Sequence, residues 1–219
     1  MRNYGFVVLF VVLFGLGIAI SGGAEDPTTT IVTARMAERL DKPHIGTYHF
    51  FEVFQLRGRW IVPDVGYVDF GRNDYRELFT GAGYTLHDGK RVTMIEEFYF
   101  VQGTGPAADG AAYLQPWTLL QGRLTKKFAA EAVYFLYVPL TDSASVQHVI
   151  ERAKLEYSFQ KPWKVGMGYA AYKPEGVAWK HKPFLTVSVK TRAGAFEFWL
   201  QKVPGGAQVQ ARYKLVHTK

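Results

Sequence analysis

The side chains of this chain that could do chemistry are ionisable groups set singly among apolar ones. Glu52, Glu77, Glu97, Glu131 and Glu197 each have aromatic or aliphatic neighbours. Arg123, Arg152, Lys154, Lys164, Arg212 and Lys214 are similarly interleaved. An extended strand sends alternate side chains to opposite faces, so Arg152 and Lys154 share one face, as do Arg212 and Lys214. The chemistry such a set supports is electrostatic. Inward acids come mainly from the first half of the chain and inward bases mainly from the second. Two readings stay open. Charges turned inward pair with one another and fill a narrow interior, because buried charges need partners. Alternatively, an acidic wall faces a basic wall and sorts small solutes by charge.

Other chemistries find little support. His148 and Glu151, like His49 and Glu52, are three apart, and odd spacing places them on opposite faces of a strand, where they cannot chelate one metal. His44, His87, His181 and His217 fall in loops or at ends. Glu96 and Glu97 diverge across a sheet and do not form a glycosidase pair. Asp142, Ser143, Ser145 and His148 lie close in sequence, but no Gly-x-Ser-x-Gly elbow accompanies them. Gly103-Thr104-Gly105-Pro106 lacks the lysine of a phosphate loop. No cofactor and no metal is expected.

Strands must position the charged set. In Ala207-Gln208-Val209-Gln210-Ala211-Arg212-Tyr213-Lys214-Leu215 every second residue is apolar and those between are polar or charged. The same theme predicts strands at about 47–56, 60–70, 75–86, 91–102, 112–124, 128–138, 147–159, 163–173, 183–191, 195–203 and 207–216. A first strand is placed at about 28–36, although Ala34-Arg35-Met36-Ala37-Glu38-Arg39-Leu40 suits a helix better on propensity. Tight turns at Arg57-Gly58-Arg59, His87-Asp88-Gly89-Lys90, Thr125-Lys126-Lys127, Gln160-Lys161-Pro162 and Arg192-Ala193-Gly194 alternate with a mostly longer set. Pro63 and Pro116 fall inside proposed strands, where a missing donor calls for bulges or shifted boundaries.

Bulk properties agree. The 219 residues are 48% hydrophobic and 16% aromatic, with 22 glycines, as in β-barrels with aromatic girdles. With no cysteine there are no disulfides and no thiolate metal site. The formal charge of +7 is scattered rather than clustered, which argues against nucleic acid as a partner. Residues 1–24 read as a secretory signal peptide: Arg2, an apolar run from Gly5 to Ile20, then Ser21-Gly22-Gly23-Ala24. An uncleaved anchor is the rival reading. Residues 25–219 form one domain.

Signal peptide, strand pattern and turn alternation together make residues 28–219 resemble the outer-membrane β-barrel class of Gram-negative bacteria. No individual family motif carries the resemblance. The final Val216-His217-Thr218-Lys219 departs from the terminal aromatic common in that class. The resemblance implies a closed, all-β, antiparallel up-and-down barrel of about 12 strands (10–12). It also implies a place in the outer membrane, lipid as partner, and small solutes as cargo. Apolar sets such as Phe196, Phe198 and Leu200 then meet lipid. The inward set around 150–158 is Ile150, Arg152, Lys154, Glu156 and Ser158. The expected function is a small passive pore, or a structural membrane protein with a charged lumen. The alternatives are a lipid-modifying barrel enzyme and a secreted soluble barrel around an apolar ligand, whose faces would be turned the other way.

Overall fold

The computed structural model describes residues 27–41, 48–71 and 74–219; the proposed signal peptide lies outside them. Twelve strands follow one another: β1 Thr28–Arg39, β2 Tyr48–Arg57, β3 Trp60–Asp69, β4 Arg76–Asp88, β5 Val92–Thr104, β6 Ala112–Arg123, β7 Phe128–Pro139, β8 Gln147–Gln160, β9 Trp163–Pro174, β10 Lys180–Lys190, β11 Gly194–Val203 and β12 Gly206–Thr218. Each pairs antiparallel with its chain neighbour, and β1 pairs with β12, from Thr29↔Thr218 to Arg39↔Gln208, so the sheet closes into a barrel without an open edge. Links of two to four residues join strands at one mouth. At the other the links run five to eight residues, apart from the two-residue Pro204-Gly205 turn, where Gly205 takes φ 76°. The link after β5 carries a single 3-10 turn, Pro106–Ala108.

Alternation located the strands to within three residues at each end. Where the sequence favoured helix, at Ala34–Arg39, β1 instead continues to Arg39. Ladders on both sides, Arg35↔Phe50 and Arg35↔Arg212 among them, satisfy its backbone groups and outweigh a weak local propensity. β10 starts three residues early because Lys180, His181 and Lys182 pair with Tyr172, Ala171 and Ala170.

The outer face is apolar. Met167 is 65% exposed, Leu185 59% and Leu200 52%, and Phe51, Leu78, Phe98 and Phe198 also point outward. A soluble barrel would bury these side chains, so that alternative fails. Trp60 packs on Tyr84 and Phe128 on Tyr157 near the short-turn mouth, as aromatics do at a membrane boundary.

Four bulges break the alternation, at Val62-Pro63 in β3, Leu86 in β4, and Glu151 and Phe159 in β8, and two of them re-aim lumen charges. Between Ile61 and Asp64 the extra residue of β3 falls at Val62-Pro63, so Pro63 sits in a bulge and Asp64 turns inward. Between Ile150 and Arg152 a second bulge turns Glu151 inward beside Arg152 and leaves Ile150 opposite the outward Tyr134, on the lipid side rather than the lumen side expected of it. Pro116 needs neither bulge nor boundary: Leu114↔Val138 and Trp117↔Phe135 keep one register across it, and β6 simply makes no pair with β7 at Gln115 and Pro116.

Candidate functional site: the charged lumen

Inside the barrel the side chains fall into two storeys. The one nearer the long links is aromatic. Ring contacts run without a break from Phe50 to Phe79 (5.7 Å), Tyr99 (5.4 Å), Trp117 (5.6 Å), Phe135 (4.2 Å), Tyr137 (5.6 Å) and Tyr113 (5.0 Å), an arc over β2–β7. Inward glycines make room for it: a Cβ on Gly81 would meet the Tyr99 ring, and one on Gly66 the Phe79 ring. Across the lumen Phe184 stacks on Trp199 at 3.9 Å, with the Arg212 guanidinium 4.8 Å from the indole centre.

The second storey, toward the short turns, is ionic. Glu151 holds Arg35, Arg152 and Arg212, the last at 3.7 Å. Arg152 also holds Glu131. Lys154 Nζ lies 2.7 Å from Glu197, 3.7 Å from Glu156 and 4.0 Å from Glu131. Lys164 reaches Glu156 at 3.5 Å, and Arg212 reaches Glu197 at 3.8 Å. All of these belong to one connected network. Thr186 and Ser188 hydroxyls donate to Glu197 and Glu156, each at 3.0 Å.

Four acids on β2–β5 stand apart from it: among the described residues Glu52, Asp64, Glu77 and Glu97 have no base within ion-pair distance. Tyr99 donates to Asp64 at 2.7 Å, while Asp64 Oδ1 has no hydrogen-bond partner. Glu77 accepts from Tyr75 and Tyr137, both at 2.9 Å. Tyr75, in the link before β4, has its pKa raised by burial and then by the Glu77 charge, so it keeps the proton it donates.

Between the acids and the network lies a cavity of about 240 Å³, lined by six bases and five acids. Lys214 faces it with no carboxylate in ion-pair reach among the described residues. Of the residues singled out in the sequence, Glu52, Glu97, Glu131, Glu197, Arg152, Lys154, Lys164, Arg212 and Lys214 line this cavity. Glu77 lies one storey away, and Arg123 is exposed at the short-turn rim. The later wall is not a basic wall. Glu131, Glu151, Glu156 and Glu197 alternate with its bases, because a run of unpaired cations in a narrow lumen would repel itself. Sequence reasoning missed Asp64 and Glu151, which bulges re-aim, and Arg35, on a segment with helical propensity. Pro63 within a strand pattern was the available signal for Asp64; nothing flagged the other two.

Among the described residues Ser143 and His148 are engaged apart from each other. His148 Nδ1 engages Tyr134 OH at 2.8 Å on the outer face, and Ser143 pairs with Thr141 at 3.2 Å.

No family model matches the chain, and no curated protein sequence matches it. Solved structures do. A KdgM porin in complex with disordered oligogalacturonate superposes with TM-score 0.60 at 11% identity, covering 85% of this chain and 98% of that one. The NanC porin gives 0.58 at 10% identity, covering 86% and 99%. An outer membrane channel from Pseudomonas putida F1 gives 0.56 at 13% identity, covering 90% and 97%. At such identities the likeness is one of architecture: this chain has the closed 12-strand barrel fold found in outer-membrane porins and channels.

Proposed function

We propose that this protein is an outer-membrane barrel, exported by residues 1–24, that acts as a narrow passive pore for small solutes. Its apolar exterior and closed ladder suit a bilayer, where every backbone polar group must be paired. The observation that carries the pore reading is the charge-lined cavity inside the barrel, bounded on one side by Glu52 and Glu97 and on the other by the ion-pair network. A lumen lined by nearly balanced charges does not pass one sign alone. It sets a field across the bore that orients dipolar and charged solutes as they cross. One of the similar porins was solved with an acidic sugar chain; this lumen, with its acids on β2–β5, supports a less one-sided choice.

Lys164 and Lys214 are the sensitive positions, because they face the cavity and are the least engaged of its bases. In planar bilayers the purified barrel is expected to give discrete conductance steps with weak ion selectivity. Lys164→Glu with Lys214→Glu should move the reversal potential toward cation preference. A folded barrel that adds no current above lipid alone overturns the pore. An unchanged reversal potential in the double variant removes these lysines from the filter.

A further inference from the structure

The outer wall carries a feature that a plain lipid-facing cylinder lacks. Across β6–β11 lies an almost wholly apolar dent of about 1060 Å³, at the upper limit of the roughly 300–1,000 Å³ usual for small-molecule sites. Its origin is legible in the register. One outward row runs Leu200, Leu185, Met167, Leu155, each directly opposite the next, and then continues as Ala130 and Gly122. In the neighbouring row Ala153 faces Ala132. Small side chains at Gly122, Ala130, Ala132 and Ala153 beside long ones at Leu155, Met167, Leu185 and Leu200 leave a basin in the barrel wall.

Charge around the basin is one-sided. The outward positions of β6–β11 hold no carboxylate among the described residues. They hold two lysines, Lys173 and Lys202, each one residue from the long-link end of its strand, and Lys202 lines the basin itself. Nearby, Tyr169 OH contacts His181 Nδ1, also close to that end. An apolar hollow whose outward lining cation, Lys202, stands at its long-link edge matches an amphiphile with a negative head. It does not match a second copy of this chain. In one bilayer the copies share an orientation, so a two-fold contact on this face would bring Lys202 toward Lys202. The outward acids lie off this face, Glu38 on β1, Asp69 on β3 and Glu96 on β5.

We propose that the basin is a binding site for an anionic lipid, its acyl chains in the hollow over Ala132 and Ala153 and its phosphate at Lys202, with Lys173 further along the same rim. The site selects the leaflet on the long-link side. This inference rests on the membrane reading above.

The test is native mass spectrometry of the whole folded barrel, released from detergent after incubation with phosphatidylglycerol or phosphatidylcholine. Phosphatidylglycerol should stay bound under activation that strips phosphatidylcholine. Lys202→Gln should lower its retention roughly fivefold, the weight of one basic side chain beside an anionic surface, and Lys173→Gln, which stands off the basin, by less. Ala153→Phe, which fills the hollow, should lower retention of both lipids. Equal retention of the two lipids by the native protein overturns the site, as does full phosphatidylglycerol retention by the lysine double variant. A dimer whose formation Ala153→Phe abolishes would assign the basin to self-association instead. The lysine variants leave the hollow intact, so they decide the matter even if the phenylalanine variant does not fold. Failure of the native barrel to insert into vesicles would refute the membrane reading; insertion without lipid selectivity would refute only this site.

Discussion

Lys154 Nζ and Glu197 Oε1 lie 2.7 Å apart although β9 and β10 run between their strands. The contact is a chord across the lumen wall, and both side chains are largely shielded from water. Lys154→Met is expected to destabilise the barrel by roughly 3–5 kcal/mol, because it leaves largely shielded carboxylates in a narrow lumen without their counterion. Combining it with Glu197→Gln should return a substantial part of that loss. Urea titration of the barrel folded into vesicles measures both.

That chord depends on a missing side chain. Gly168, opposite Lys154 in the ladder, faces the lumen, and a Cβ there would sit 2.9 Å from Lys154 Cβ and collide with the Phe184 ring. Gly168→Ala should cost about 1–3 kcal/mol through overpacking. A lower temperature for loss of heat-modifiable gel migration is the readout, and a value equal to wild type would refute the packing argument.

The two acid groups should respond oppositely to neutralisation. Asp64 has a single phenol donor, no base and other acids nearby. Asp64→Asn keeps an acceptor for Tyr99 and removes a like-charge repulsion, so stability should stay within about 1 kcal/mol of wild type or rise. Glu131→Gln uncovers Arg152 and should cost roughly 3–5 kcal/mol. Equal losses at the two sites would show that the acids on β2–β5 have counterions after all.

Leu185 lies midway along β10 and is 59% exposed on the outer face. Leu185→Arg should cost about 2–4 kcal/mol if that position meets the bilayer midplane. Folding yield in vesicles, compared with Val138→Arg near the end of β7, separates depth from charge. A neutral Leu185→Arg would place the hydrocarbon band elsewhere.

Most of the barrel could be read from alternation because each strand has one lipid face and one lumen face, and Phe196, Phe198 and Leu200 against Glu197, Trp199 and Gln201 needed nothing more. Period-two reasoning fails where a strand gains a residue. Asp64 and Glu151 each follow or occupy a bulge, so the count that places Phe54 or Lys154 correctly puts these two on the wrong side. Pairing inside the lumen was hidden for a different reason. Whether Lys154 meets Glu197 or Glu131 depends on the curvature of the closed wall and on Gly168, and neither is encoded in local spacing.

The seam between β1 and β12 is an ordinary ladder, with Lys219 N–H donating to Thr28 C=O at 3.1 Å beside it. The ring therefore has no privileged starting point. A gene rewired to join these two strands by a short linker and reopened at Gly58 would contain the same twelve neighbours in the same circular order, and the finished cylinder should be indifferent to where its polypeptide was cut.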